Sequence, residues 1–253
     1  MLEYDGRDFD GWQRQAEGTR TVQGTLEQAV ERISGRAARV VGASRTDAGV
    51  HAEGQLASLD LDTPLAAGAL QRALNGVLPR DVAVVGLEEA PGFHALRDAR
   101  SKLYRYALWN GAVPSPLRRE RCWWVRGRLE LGALREAAAA LVGRHDFAAF
   151  RAAHSAVRSS ERTLHEIRVD GEGGGQLDLV VRGDGFLRHM VRILVGSLVE
   201  VARGRRSPSW VTDVLASRER SRAGPTAPPE ALTLVRVFFD SDGKSGPSGN
   251  ARA

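Results

Sequence analysis

In Thr21-Val22-Gln23-Gly24-Thr25-Leu26-Glu27-Gln28-Ala29-Val30-Glu31-Arg32-Ile33-Ser34-Gly35 the apolar residues Val22, Leu26, Val30 and Ile33 recur at the spacing of one helix face. Thr21 stands where an N-cap belongs and Gly35 where a helix stops, so residues 20–34 are predicted as an amphipathic helix. Short apolar or alternating runs surround it. Leu2 to Tyr4 and Ala38 to Gly42 are strand candidates, as is Gln55 to Leu61, where Leu56, Ser58 and Asp60 alternate with Ala57, Leu59 and Leu61. A second helix fits residues 65–77, introduced by Thr63-Pro64, and Val82 to Leu87 after Pro79 has the look of a buried strand. The order is β-α-β-β-α-β.

The second half repeats that order without a residue-level repeat. Lys102 to Trp109 is predicted as a strand and Leu129 to Val142 as an alanine-rich helix. Thr163 to Val169 and Leu177 to Val181 make a hairpin around Gly173-Gly174-Gly175. A helix from Phe186 to Arg203, a short one after Ser207-Pro208 and a strand from Leu232 to Phe239 complete it. Two such units predict an α+β fold of two ferredoxin-like subdomains, forming a mostly antiparallel sheet with helices on one face. The expected division is 1–98, 99–240 and a tail, 241–253, which has no apolar anchor and is expected to be disordered. Sheets of this kind leave one face free, the surface that RNA-recognition modules use.

With 253 residues and 42% hydrophobic content, the chain is long enough for a packed core. No run approaches a membrane span, and Met1-Leu2-Glu3-Tyr4-Asp5 lacks the basic and apolar regions of a signal peptide, which points to a cytoplasmic protein. The lone Cys122, beside Trp123 and Trp124, has no disulfide partner and reads as a small apolar residue. Charge is segregated. Residues 1–100 hold 11 Arg against 15 acids, whereas residues 101–240 hold 23 Lys and Arg against 15 acids. Only Lys102 and Lys244 are lysines, and arginine forks suit phosphate, so the basic half fits a polyanionic partner. A GC-rich genome would explain arginine in place of lysine, but not the segregation.

Common catalytic signatures are missing: no Gly-x-Ser-x-Gly, Walker loop, His-Glu-x-x-His or Cys-x-x-Cys occurs. Gly173 to Gly175 reads as a hairpin turn, since no Gly-Lys-Ser/Thr and no helix follow. The scattered histidines argue against a metal site. The loop at 43–51 differs, for Arg45-Thr46-Asp47-Ala48-Gly49-Val50-His51 packs a cation, a hydroxyl, a carboxylate and an imidazole between two strand candidates. Taken alone, such a run reads as a surface turn with an Asx motif, and only its context argues otherwise.

Tyr4-Asp5-Gly6 with Gly11-Trp12-Gln13-Arg14-Gln15, Val22-Gln23-Gly24-x-Leu26-Glu27 and Ser44 to Ala52 open a longer series. It continues with Lys102 to Tyr106, His145-Asp146-Phe147-x-x-Phe150-Arg151, Phe186 to Arg192 and Ala223 to Pro228. Seven motifs in this order resemble the TruA family of tRNA pseudouridine synthases. The resemblance implies an isomerase that converts uridines 38, 39 and 40 of the tRNA anticodon stem-loop, as a homodimer, without a cofactor. Some positions depart from the family. Met1 falls inside the first motif, so the strand is short or the start lies upstream; Ser44 stands where glycine is frequent; Pro229-Glu230-Ala231-Leu232 replaces a common Gly-Leu.

By the same resemblance Asp47 is the nucleophile. A carboxylate enclosed by a base needs a counter-charge, because desolvation otherwise favours the neutral form. Arg192 is the candidate, on a helix whose residues 188, 192 and 196 share one edge. The target uridine must leave its stack, and Tyr104 matches the family tyrosine that stacks on the uracil. Tyr106 shares its parity, so one of the two is available as a core residue. Arg45 either enters the RNA or forms a structural salt bridge. His51, Arg188 and His189 are further candidates, and Trp12 and Gln13 are either RNA contacts from a loop or, for Trp12, packing beneath the site. Two other classes remain: a non-catalytic RNA-binding protein on this scaffold, and a glycoside-cleaving enzyme, which needs a second carboxylate and has only Glu53 nearby.

Overall fold

The computed structural model describes residues 1–16, 18–152 and 159–239, so the tail expected over 241–253 lies outside the described residues. The fold is mixed α/β with mostly antiparallel strand pairing. Among the described residues the chain divides into two compact units, one made of Met1–Arg100 with residues 234–239, the other of Ser101–Thr233. The expected division kept 99–240 together; the last strand instead returns to the first unit, because a periodic pattern identifies a strand without naming the neighbour it pairs with.

The first unit contains β1 (Leu2–Tyr4), α1 (Val22–Ser34), β2 (Val41–Gly42), β3 (His51–Gln55), β4 (Ala57–Ser58), α2 (Ala67–Val77), β5 (Val82–Val84) and the single turn α3 (Ala95–Asp98). β1 lies between β3 and β5, antiparallel to both, and β2 pairs with β4. The ends of α1 are those the sequence sets: Thr21 Oγ1 accepts the Gly24 N–H at 3.2 Å, and Gly35 takes φ 69°. Its buried Val22, Leu26, Ala29 and Val30 follow the apolar stripe, each large one stabilising by about 1.5–3 kcal/mol.

Gln23 and Glu27 are buried on the same helix, which the apolar pattern does not indicate. Gln23 Nε2 donates to Val40 O at 3.0 Å and Glu27 Oε1 accepts the Val40 N–H at 3.1 Å. Val40 thus spends both backbone groups on helix side chains rather than on a ladder, and the strand expected over Ala38 to Gly42 shrinks to Val41–Gly42. The one expected over Gln55 to Leu61 is shifted towards the N-terminus, with β3 at His51–Gln55 and β4 at Ala57–Ser58.

The second unit holds β6 (Ala99–Trp109), β7 (Trp123–Trp124), α4 (Leu131–Ala139), β8 (Gly143–Asp146), β9 (Glu161–Gly171), β10 (Gln176–Gly183), α5 (Met190–Ala202) and α6 (Trp210–Ser217), before β11 (Leu232–Phe239). β6, β10, β9 and β8 pair antiparallel in that spatial order, and β7 runs parallel to β6. α3, β7 and β8 are too short for a periodic signal. Helix α5 is apolar around most of its circumference: Ile193, Leu194, Val195, Leu198 and Val199 are all fully enclosed, and only the edge with Arg192 and Glu200 is polar and half-buried. From Leu234 on, β11 lies beside β3, where a Cβ on Gly54 would stand 2.3 Å from Val235 O. Only glycine permits that approach.

Candidate active site

The loop at 43–50 runs from β2 into β3 and is fastened along its length. Ala43 N–H donates to Leu56 O at 2.8 Å, Trp12 N–H to Thr46 O at 3.0 Å and Gly49 N–H to Phe9 O at 3.2 Å. Val50 N–H closes a turn on Asp47 O at 3.1 Å, with Gly49 at φ 79°. Side chains hold it from beneath. The Tyr4 hydroxyl is 2.8 Å from Thr46 Oγ1, and Gln55 Nε2 reaches the Tyr4 hydroxyl at 3.4 Å and Ser44 O at 2.7 Å. Burial pushes the Tyr4 hydroxyl up to about 12, so it stays a neutral hydrogen-bonding group. Thr46 is buried, Arg45 and Ala48 are exposed, and Asp47 is half-buried between them. The backbone therefore presents a carboxylate from a rigid support, which lowers the entropy lost in aiming it.

His51 is enclosed, with 1% exposure. Its Nδ1 accepts the Gly6 N–H at 3.1 Å and lies 3.2 Å from Asp5 Oδ1. One nitrogen cannot accept and donate at once, and the Gly6 N–H can only donate, so the geometry fits a neutral ring with its proton on Nε2. Asp5 is held by the Arg7 fork, Nε to Oδ1 at 3.0 Å and Nη2 to Oδ2 at 2.8 Å. His51 thus buttresses the loop from within.

Trp12 is 2% exposed, and a Cβ on Gly42 would lie 2.4 Å from its ring, so Trp12 packs beneath the loop. Gln13 Nε2 donates to Gln23 Oε1 at 2.6 Å, which ties it to α1. Tyr4, Gln55 and Asp5 are not site candidates from sequence, and Thr46 is one only as the hydroxyl of the polar run. Tyr4 and Gln55 lie in adjacent strands of known parity, and that is the signal that would have found them.

In the second unit, Tyr104 and Tyr106 are both buried, on the side of β6 that their parity predicts. Tyr106 donates its hydroxyl to Pro228 O at 2.8 Å and is a core residue; Tyr104 meets Phe186 edge-on with ring centroids 5.2 Å apart. The helix expected from Phe186 begins only at Met190. Arg188 precedes it and is exposed, its carbonyl taken by the Ala152 N–H at 3.0 Å, and His189 is the N-cap residue at φ 60°. Residues 188, 192 and 196 therefore do not form one helix edge. Arg192 is on the helix, half-buried, and its Nε donates to Ala227 O at 2.8 Å while Ala227 N–H returns to Arg192 O at 3.1 Å.

A half-buried carboxylate on a loop held by an enclosed polar network, in a chain with a separate arginine-rich unit, has the character of an enzyme acting on a polyanion. The family model described as tRNA pseudouridine synthase matches residues 1–95 and 137–240, and the chain belongs to that family. "tRNA pseudouridine synthase A" of Myxococcus xanthus is 49% identical over 94% of this chain and 90% of its own length. The proteins of that name from Geobacter sulfurreducens and Geobacillus kaustophilus are 44% and 40% identical, over 94% and 96% of this chain and 98% and 94% of theirs. Among solved structures, a Cbf5-Nop10-Gar1 complex aligns at 12% identity and a TM-score of 0.39, over 96% of this chain and 59% of that one, a likeness too loose to carry weight.

Proposed function

We propose that the chain isomerises uridine to pseudouridine at positions 38, 39 and 40 of the tRNA anticodon stem-loop, with Asp47 as its nucleophile. The observation that supports this most is the support of the loop: Thr46 is pinned to Tyr4 and Trp12, so the next residue is held while its side chain stays half-exposed. In the reaction the N1–C1′ bond breaks, the uracil turns, C5 bonds to C1′, and the proton of C5 leaves as N1 gains one. Nothing is oxidised or transferred away, so the chemistry calls for no redox group. What it needs is an anion to engage C1′ of the ribose or C6 of the base, and a carboxylate serves either route.

Tyr104 stacks on the flipped uracil, Arg192 supplies the counter-charge, and Arg45, exposed beside Asp47, contacts the RNA. The protein acts in the cytoplasm as a homodimer; among the described residues no helix is long and apolar enough to cross a membrane. The test is to incubate the purified protein with unmodified tRNA carrying uridines at 38–40 and to map pseudouridine by position. Wild type should convert them, and Asp47→Ala should bind the tRNA without converting it. Unchanged uridines with wild type, or full activity of Asp47→Ala, would sink the reading.

A further inference from the structure

Residues 111–128 form an exposed excursion between β6 and α4, and the family match passes over it. Five arginines, Arg118, Arg119, Arg121, Arg126 and Arg128, face one acid there, Glu120. Trp109 and Trp124 are register partners in the parallel pair of β6 and β7, so their rings project from the same side of the sheet. Arg118 lies over the Trp109 ring at 4.8 Å, and Arg126 over the Trp124 ring at 5.3 Å. The excursion is fixed in place: Trp109 Nε1 donates to Val113 O at 2.8 Å and Trp124 Nε1 to Gly111 O at 3.1 Å. A Cβ on Gly111 would stand 2.4 Å from the Trp109 ring, so only glycine lets the chain close down on the indole.

We infer that this surface, centred on Arg118 and Arg126, is a second RNA-contact site that grips the phosphate backbone of the tRNA away from the base being isomerised. The inference rests on the proposed tRNA substrate. A guanidinium stacked on an indole keeps its plane fixed and its N–H edges turned outward, the geometry that meets phosphate oxygens in pairs. Both indole faces in question are already capped by arginine, so the surface suits helical backbone rather than unstacked bases. Arg119 and Arg128 are paired with Glu120 at 3.5 Å and Glu130 at 3.1 Å, and Arg118 Nε donates to the neutral Gln176 Oε1 at 3.4 Å; Arg118 and Arg126, the two that lie over the indoles, are the pair to test. Val113 and Leu117, 69% and 94% exposed, would suit a second copy of the chain. An isologous contact there sets like charges face to face, which disfavours that occupant.

The experiment compares wild type, Arg118→Ala with Arg126→Ala, Arg118→Lys with Arg126→Lys, and Arg135→Ala on the exposed side of α4. Affinity for unmodified tRNA is measured across a salt series, with KM and kcat for pseudouridine formation, circular dichroism as a check on folding, and light scattering. The double alanine variant should bind roughly tenfold more weakly, with the slope of log K against log salt shallower by about 2. KM should rise in step while kcat at saturating tRNA falls less than about twofold. The double lysine variant should recover the salt slope but not all of the affinity, and Arg135→Ala should match wild type. Unchanged affinity and slope in the folded double alanine variant overturn the inference. So does a change of oligomeric state at undiminished RNA affinity, which would assign the surface to a second copy. Absence of pseudouridine with wild type would reject the proposed function instead, and the binding curves would still decide this surface.

Discussion

The phenolic oxygen of Tyr4 lies 2.8 Å from Oγ1 of Thr46, which fastens the residue before Asp47 to the first strand of the chain. Both side chains are buried, and Gln55 completes the group by reaching the same hydroxyl and the carbonyl of Ser44. Replacing one member leaves the others without water to turn to, so each is worth more than an exposed hydrogen bond.

Tyr4→Phe should cost about 1–3 kcal/mol at neutral pH, read by chemical denaturation, and should lower kcat more than it raises KM. A pH signature accompanies it. The unfolded chain loses the tyrosine proton near its ordinary value of 10, whereas the folded chain keeps it to about 12. The contribution is therefore fully present below about pH 10 and lost as pH rises towards 12, by about 1–3 kcal/mol. Tyr106, also raised by burial, adds a decline of its own, so stability of Tyr4→Phe should fall with pH less steeply than wild type without becoming flat.

Gly11→Ala should disable the loop directly. Gly11 sits at φ 93°, and a Cβ there would lie 2.8 Å from Thr46 O and 3.2 Å from Ala48 N. Gly18→Ala is the control, at φ 87° with no described residue other than its chain neighbours within 4 Å of its Cβ. Gly18→Ala should lose about 1 kcal/mol of stability and keep its activity, since only backbone strain is added. Gly11→Ala should lose more than about 2 kcal/mol and most of its kcat, because the strain is joined by a clash with the backbone around Asp47. Equal activity of the two would mean that the loop tolerates displacement.

These residues also show what could be read from sequence. Helix α1 was legible because Thr21, the apolar stripe and Gly35 act locally, and the structure uses each as its chemistry suggests. The Asp47 loop was visible as a polar run, but its rigidity was not, since Tyr4 and Gln55 come from distant positions and act through side-chain bonds. The strand around Val40 is shorter than its local sequence suggests, because nothing local reveals that Gln23 and Glu27 turn inward to take its backbone groups. Helix α5 starts later than its sequence suggests for a similar reason: Phe186 to Arg188 continue an apolar and cationic pattern, but His189 takes φ 60°, which no helix interior accepts.

Gly196→Ala should destabilise the second unit severely. A Cβ at that position would lie 1.8 Å from Pro225 O, and the crossing chain has no side chain there to move aside. Ser197 beside it accepts the Gly224 N–H at 2.9 Å while donating to Ile193 O at 2.8 Å, so the same segment is held as well as crowded. The expected loss is more than about 3 kcal/mol, with faster amide exchange over residues 223–228. Ser197→Ala should cost about 1–2 kcal/mol, from one buried amide left without its acceptor. A Gly196→Ala protein as stable as wild type would show that the segment can lift away from α5.

Arg192 tests whether the geometry of its charge matters as well as the charge itself. Its Nε donates to Ala227 O and its own carbonyl takes the Ala227 N–H, so a reciprocal backbone pair orients the guanidinium. Lysine keeps the charge but has no donor midway along its chain, and its ammonium swings on a flexible stem. If Arg192 supplies the counter-charge for the nucleophile, Arg192→Lys should lower kcat by roughly 10²–10³ while tRNA affinity changes less than about threefold. Arg192→Ala should be at least as slow, and circular dichroism should show both variants folded. Full kcat in Arg192→Lys would mean that the backbone grip on Nε serves stability alone. A loss confined to KM would assign Arg192 to RNA binding and leave the counter-charge of Asp47 to another cation.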